Sequence, residues 1–183
     1  MAWVTPLTAV ANASLTAAQW NASVRDDFLT TAPALATTAG SIFATTAANS
    51  IAERIPAAAG VGGAAETTTS TSYTATLSGG AGSAGPAVTC VTGPKALISF
   101  HCRQSTSVAT TNVWTSIAIS GASTIAASDT WATSSDIVSS QIYHGLAYVE
   151  PGLTAGSNTF TEQYRVSGGT GTFATRRINV VPF

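Results

Sequence analysis

From residue 96 to residue 181 the apolar positions recur at every second residue, the period of a β-strand with one buried face. Ile98, Phe100 and Cys102 alternate with Leu97, Ser99, His101 and Arg103. Val113, Thr115, Ile117 and Ile119 alternate with Trp114, Ser116, Ala118 and Ser120. Ile142, His144, Leu146 and Tyr148 alternate with Tyr143, Gly145 and Ala147, and Phe160, Glu162, Tyr164 and Val166 with Thr161, Gln163 and Arg165. Turn signals at Gly79-Gly80, Gly93-Pro94, Gly121, Pro151-Gly152 and Gly168-Gly169 separate the runs. Adding residues 73–77, 87–92, 124–131 and 172–181 gives about eight short antiparallel strands, which predicts a mainly β fold, a jelly-roll-like sandwich head over residues 71–183.

The N-terminal pattern is different. In residues 15–27, LTAAQWNASVRDD, Thr16 and Gln19 have the spacing of a capping box, and Leu15 and Trp20 that of a hydrophobic staple. Trp20, Val24 and Phe28 follow at i, i+4 and i+8, so one side of a short helix is apolar. Pro33 predicts that this helix ends by Thr31 or Ala32. An apolar stripe ahead of a feebly hydrophobic stretch needs an outside surface to pack on. Residues 1–30 therefore read as an anchor segment, with Trp3, Leu15, Trp20, Val24 and Phe28 as its interface.

Residues 31–70 read as an extended linker rich in Ala, Thr and Gly, with Leu35, Ile42, Phe43, Ile51, Ile55 and Val61 as its large apolar residues. So few side chains do not offset backbone ordering at roughly 1–2 kcal/mol per residue. A short helical piece is expected at 47–54 and a flexible spacer at 57–65.

Only 15 of 183 residues are charged, seven basic and eight acidic, so Ser, Thr, Asn and Gln must supply the polar surface. The net charge of −1 gives no patch to neutralise phosphates, and a nucleic-acid partner is not expected. Low charge protects weakly against association. Several strands also carry sizeable residues on both faces, Leu97 beside Ile98 and Tyr143 beside Ile142, which suggests subunit packing with closed symmetry. Glu162 and Arg177 fall on otherwise apolar strand faces and are a candidate subunit contact.

No apolar run is long enough to span a bilayer, and membrane insertion is not expected. Ala11-Asn12-Ala13 has the form of a signal-peptidase site, but no basic residue precedes it. Cys90 and Cys102 are too few for a disulfide framework; Cys102, in phase with Ile98 and Phe100, reads as a buried thiol.

Candidate chemistry is sparse. His101, His144 and Asp136 lack the short spacing of a zinc site. The serines form no nucleophile elbow, and the glycine-rich pieces lack a following lysine for phosphate. Glu150 and Glu162 are the carboxylates available to a glycosidase, without a sign of a cleft. The expectation is a protein that is not an enzyme and takes no cofactor or metal. Trp114, Trp131 and Tyr143, with Tyr148, are aromatics able either to fill a core or subunit seam or to stack on sugar faces.

Three stretches carry a family resemblance. Residues 15–27 resemble the attachment segment of small structural proteins in tailed bacteriophages, with Trp20 where leucine is commoner. Residues 40–55, GSIFATTAANSIAERI, resemble a phage-fibre linker at Ala44-Thr45, Asn49 and Arg54. Residues 156–182 are similar to the closing hairpin of trimeric C-terminal β domains in such fibres. The resemblance covers about a third of the chain. It implies a homotrimeric virion component, assembled in the bacterial cytoplasm and held by its N-terminus to capsid or tail proteins. The head would serve as a small head or tail fibre, with a host-surface glycan as a further partner, or as a capsid decoration protein. A secreted carbohydrate-binding module is the competing reading, and predicts a monomer.

Overall fold

A computed structural model of the chain describes residues 14, 16–21, 32–48, 50–79 and 84–183. They fall in two compact units, Met1–Ile55 and Pro56–Phe183.

In the first unit, helix α1 spans Ala17–Trp20 and begins with the expected capping box. The Thr16 hydroxyl accepts from the Gln19 N–H at 3.2 Å, and the Gln19 side-chain oxygen accepts from the Thr16 N–H at 2.9 Å. Trp20 is 55% exposed. Trp3, Leu15, Val24 and Phe28 lie outside the described residues. A second helical turn, α2, occupies Ala32–Leu35. Residues 22–31, where the first helix is expected to end, lie outside the described residues; Pro33 sits in the first turn of α2, where its missing N–H breaks no intrahelical bond.

Strands β1 (Ile42–Ala47) and β2 (Ser50–Arg54) pair antiparallel as a hairpin. Residues 50–54 are thus a strand rather than the expected helical piece. β-Branched Thr45 stands opposite Ile51, and the Thr46 and Ser50 hydroxyls bond at 2.8 Å across the turn, both of which favour the pleated form. Glu53 fixes the chain ahead of the hairpin by accepting from the Ser41 hydroxyl and from Thr37 and Thr38. The Ser41 and Thr37 bonds lead the causes that hold its carboxyl down to about 2.

The second unit contains β3 (Ala57–Val61), β4 (Glu66–Thr68), β5 (Ala87–Thr92), β6 (Lys95–Thr106), β7 (Val113–Gly121), β8 (Ala132–Ser135), β9 (Ile142–Pro151), β10 (Gly156–Val166) and β11 (Gly171–Pro182). One sheet has the order β5-β10-β7-β8 and the other β3-β11-β6-β9, with β4 paired to β11. Every ladder is antiparallel. β3 pairs with β11, β5 with β10, β6 with β9 and β7 with β8, so pairs nest inside one another along the chain. That nesting over two sheets, of four and five strands, is a jelly roll.

Its first strand, β3, comes from the stretch expected to be a spacer. Residues 57–61 lack large side chains, but Ala57 and Ala59 pack on the core that β11 and its neighbours supply. The expected strand at 73–77 makes only isolated bridges, Thr74 with Tyr164 and Thr76 with Ala84. The expected strand at 124–131 is a bridge at Ile125 followed by a 3-10 turn, Asp129–Trp131, and the ladder resumes at β8.

The alternating residues meet between the sheets. Val88, Ile98, Phe100, Ile117, Ile119, Phe160, Ile178 and Val180 form one cluster, and Leu77, Cys102, Val113, Tyr164, Val166 and Phe173 another. Each such side chain contributes roughly 1.5–3 kcal/mol of transfer free energy. Cys90 and Cys102 are free and buried on opposite sheets, and burial raises both thiols.

Candidate functional site

The outer face of the β3-β11-β6-β9 sheet is built in rungs set by register. Leu97 on β6 stands between Val149 on β9 and Val181 on β11, and Ser99 between Ala147 and Asn179. His101 follows between Gly145 and Arg177, and Arg103 between Tyr143 and Ala174. The face therefore grades from an apolar rung to a cationic and aromatic end. Gly145 and Gly60 flank the His101–Arg177 pair within the rung, so no side chain stands beyond either member of it there.

At the cationic end the Arg103 guanidinium carbon lies 5.5 Å from the centre of the Tyr143 ring, and the His101 ring meets that ring edge-on at 6.1 Å. Tyr143 is 58% exposed. Arg177 donates through Nε to the Asn179 side chain at 3.3 Å, and Asn179 donates to the Ser99 hydroxyl at 3.3 Å. Among the described residues neither Arg103 nor Arg177 has a carboxylate partner.

Two open grooves adjoin these arginines. One, about 410 Å³, is lined by Ala58, Gly60, His101, Thr175 and Arg177 among others. The other, about 590 Å³, is lined by Arg103 together with hydroxyls and an amide, including Ser107, Ser139, Gln141 and Thr172. Among the described residues, none of those lining either groove is acidic. Thr175 and Ser139 both have positive φ, 47° and 63°, so each groove contains a non-glycine residue in an unfavourable backbone region.

The candidate pair Glu162–Arg177 does not form. A β-bulge between Ala174 and Arg177 inserts one residue into β11 and reverses the inside–outside phase. Phe173 and Arg176 point inward, while Arg177 is exposed on the outer face. Glu162 is fully buried and accepts from the Tyr164 hydroxyl at 2.8 Å. Burial raises its carboxyl to about 8, against the downward pull of the Tyr164 bond and the Arg176 charge.

The other expected aromatics are engaged within the chain. Trp114 lies under the Arg165 guanidinium at 3.7 Å, and Arg165 pairs with Asp129, which also accepts from the Tyr73 hydroxyl at 2.9 Å. The Arg165 bond is the first cause holding the Asp129 carboxyl below its ordinary range. Trp131 stacks on Tyr148 with ring centres 5.2 Å apart. Of Trp114, Trp131 and Tyr143, Tyr143 alone joins the cationic strip. His101 faces outward and His144 inward on neighbouring strands, so they do not converge, and no metal-holding cluster occurs among the described residues. Glu150 lies on β9 and Glu162 inside the sandwich on β10, in different sheets. Arg103, missed as a candidate, was marked in the sequence only as a polar residue alternating with a core run, and His101 was weighed only as a zinc ligand.

No protein-family model matches the chain, and no curated protein matches it.

Proposed function

We propose that the chain is a structural component of a bacteriophage virion, a homotrimeric head or tail fibre. Its N-terminal segment attaches to capsid or tail proteins and its jelly-roll head serves for host-surface adhesion. What supports this reading most is the division of labour along the chain. A capped helix with an exposed Trp20 belongs to one unit, and a jelly roll with a cationic, aromatic outer face belongs to another. An exposed tryptophan on a capped turn suits an interface anchor. Three heads on one attachment would turn weak contacts into a firm one through effective concentration.

A capsid decoration protein is the nearest alternative within the same class. The carbohydrate-binding module is favoured by one observation, the exposed Tyr143 beside Arg103. The deciding experiment is light-scattering mass of the full chain, combined with mass spectrometry of particles from the phage that encodes it. A trimer present in particles, and lost from them on removal of residues 1–30, is the expected result. A monomer absent from particles overturns it in favour of the module.

A further inference from the structure

The groove beside Arg103 combines a cationic side chain with hydroxyl and amide walls. Its walls carry hydroxyl and amide groups from β6, from the 139–141 loop and from β11, with Arg103 as the one charged residue among them. Tyr143 stands next to it, held against the guanidinium and against His101. The same sheet face holds Arg177 opposite His101, two residues along β6 and so about 7 Å away along the strand.

We propose that this groove binds a glycan bearing carboxylates, a chain containing uronic or sialic acid residues. Each wall group matches one part of such a ligand. Arg103 presents a planar fork without a carboxylate of its own, and a sugar carboxylate fills it with two charge-assisted bonds. Ser107, Ser139, Gln141 and Thr172 offer donors and acceptors to sugar hydroxyls. The exposed Tyr143 ring offers an apolar face for the C–H side of a pyranose. None of the described lining residues is acidic, so they add no repulsion that would select a neutral sugar instead. Ser139, at φ 63°, is held in that backbone region inside the groove wall, as strained residues at ligand clamps commonly are. Arg177 and His101 extend positive potential along the face, so a longer polyanionic chain has a second contact beyond the groove.

This inference deepens the adhesion part of the proposed function and rests on that reading for its biological setting, but the site stands on its own geometry. The test is calorimetric titration of the full chain with hexagalacturonate, with sialyllactose, with neutral maltohexaose and with a short polyphosphate. At least one acidic sugar should bind about tenfold or more tightly than maltohexaose, the range of a charge-assisted bond. Arg103→Ala should weaken that binding about tenfold or more. Arg103→Lys should recover only part, because an ammonium cannot make the fork. Tyr143→Ala should weaken it by a few-fold. Both side chains lie on the outer face, and unchanged melting curves would show that the variants fold. Failure of both acidic sugars to bind overturns the proposal. So does undiminished binding by Arg103→Ala, or binding of polyphosphate as tight as that of the sugars, which would mean charge alone. A trimeric, particle-borne chain without glycan binding sinks this site only. A monomer that binds acidic sugars sinks the virion reading and keeps the site.

Discussion

Glu66 and Arg176, 110 residues apart in the chain, form an ion pair inside the sandwich with side chains essentially without solvent exposure. β4 places Glu66 beside β11, and the bulge after Ala174 turns Arg176 inward to meet it. Such a pair costs desolvation on both sides and returns it only while both partners are present. Glu66→Ala is therefore expected to destabilise the head by about 3–5 kcal/mol in urea unfolding. The double change Glu66→Leu with Arg176→Met should recover most of that loss. Equal losses in the single and double variants would show that the pair adds stability beyond its desolvation cost.

Glu162 makes stability depend on pH in a defined direction. Its carboxyl ionises near 4.5 ordinarily and near 8 in the fold, chiefly because it is buried. Folding therefore favours the protonated form. That stabilisation is complete below 4.5 and is lost as pH rises through 8. The melting temperature should fall between those limits, by about 5 °C or more, and Glu162→Gln should remove most of the fall. A wild-type melting temperature that rises across the window would contradict the burial argument.

The strands legible in the sequence are those whose large residues alternate without interruption, β5 to β7, β9 and β10, while β11 was legible in extent but not in phase. β3 was not legible, because Ala57, Ala59 and Val61 look like spacer until β11 offers a surface on which small side chains suffice. The bulge at 174–177 was not legible either. A period-two reading puts Arg177 in phase with Phe173, and only the extra residue with positive φ at Thr175 separates them. Of the candidate site, Tyr143 was legible as an aromatic able to face a ligand. Its partnership with Arg103 depends on the β6–β9 register, which no local pattern encodes.

Gly121 closes the turn after β7 with φ 106°, and a Cβ there would sit 2.4 Å from the Ser157 carbonyl oxygen. The contact is backbone, so no side chain can swing away. Gly121→Ala combines backbone strain with overpacking and should cost at least about 2 kcal/mol. Gly152→Ala, also at positive φ but with open space around its Cβ, should cost less. Chemical denaturation of both variants checks the order, and equal losses would leave strain alone as the cause.

Trp131 and Tyr148 stack nearly parallel, at 9°, across the open side of the sandwich. Trp131 ends the 3-10 turn that leads into β8, the edge strand of one sheet, while Tyr148 lies on β9, the edge strand of the other. The contact ties two edges that share no ladder. Tyr148 also packs on the core, and burial raises its hydroxyl above the ordinary range. Trp131 is 49% exposed, so its removal costs less than that of a core aromatic. Trp131→Ala should destabilise the head by about 1–2 kcal/mol. In native-state hydrogen exchange the protection lost should be confined to β8 and its junction with β9, leaving β6, β10 and β11 unaffected. Binding of acidic sugars should be unchanged, because the stack lies on the inner side of β9 and Tyr143 on the outer. Loss of glycan binding in this variant, with stability intact, would instead place Trp131 among the ligand contacts and move the binding site to the sandwich edge.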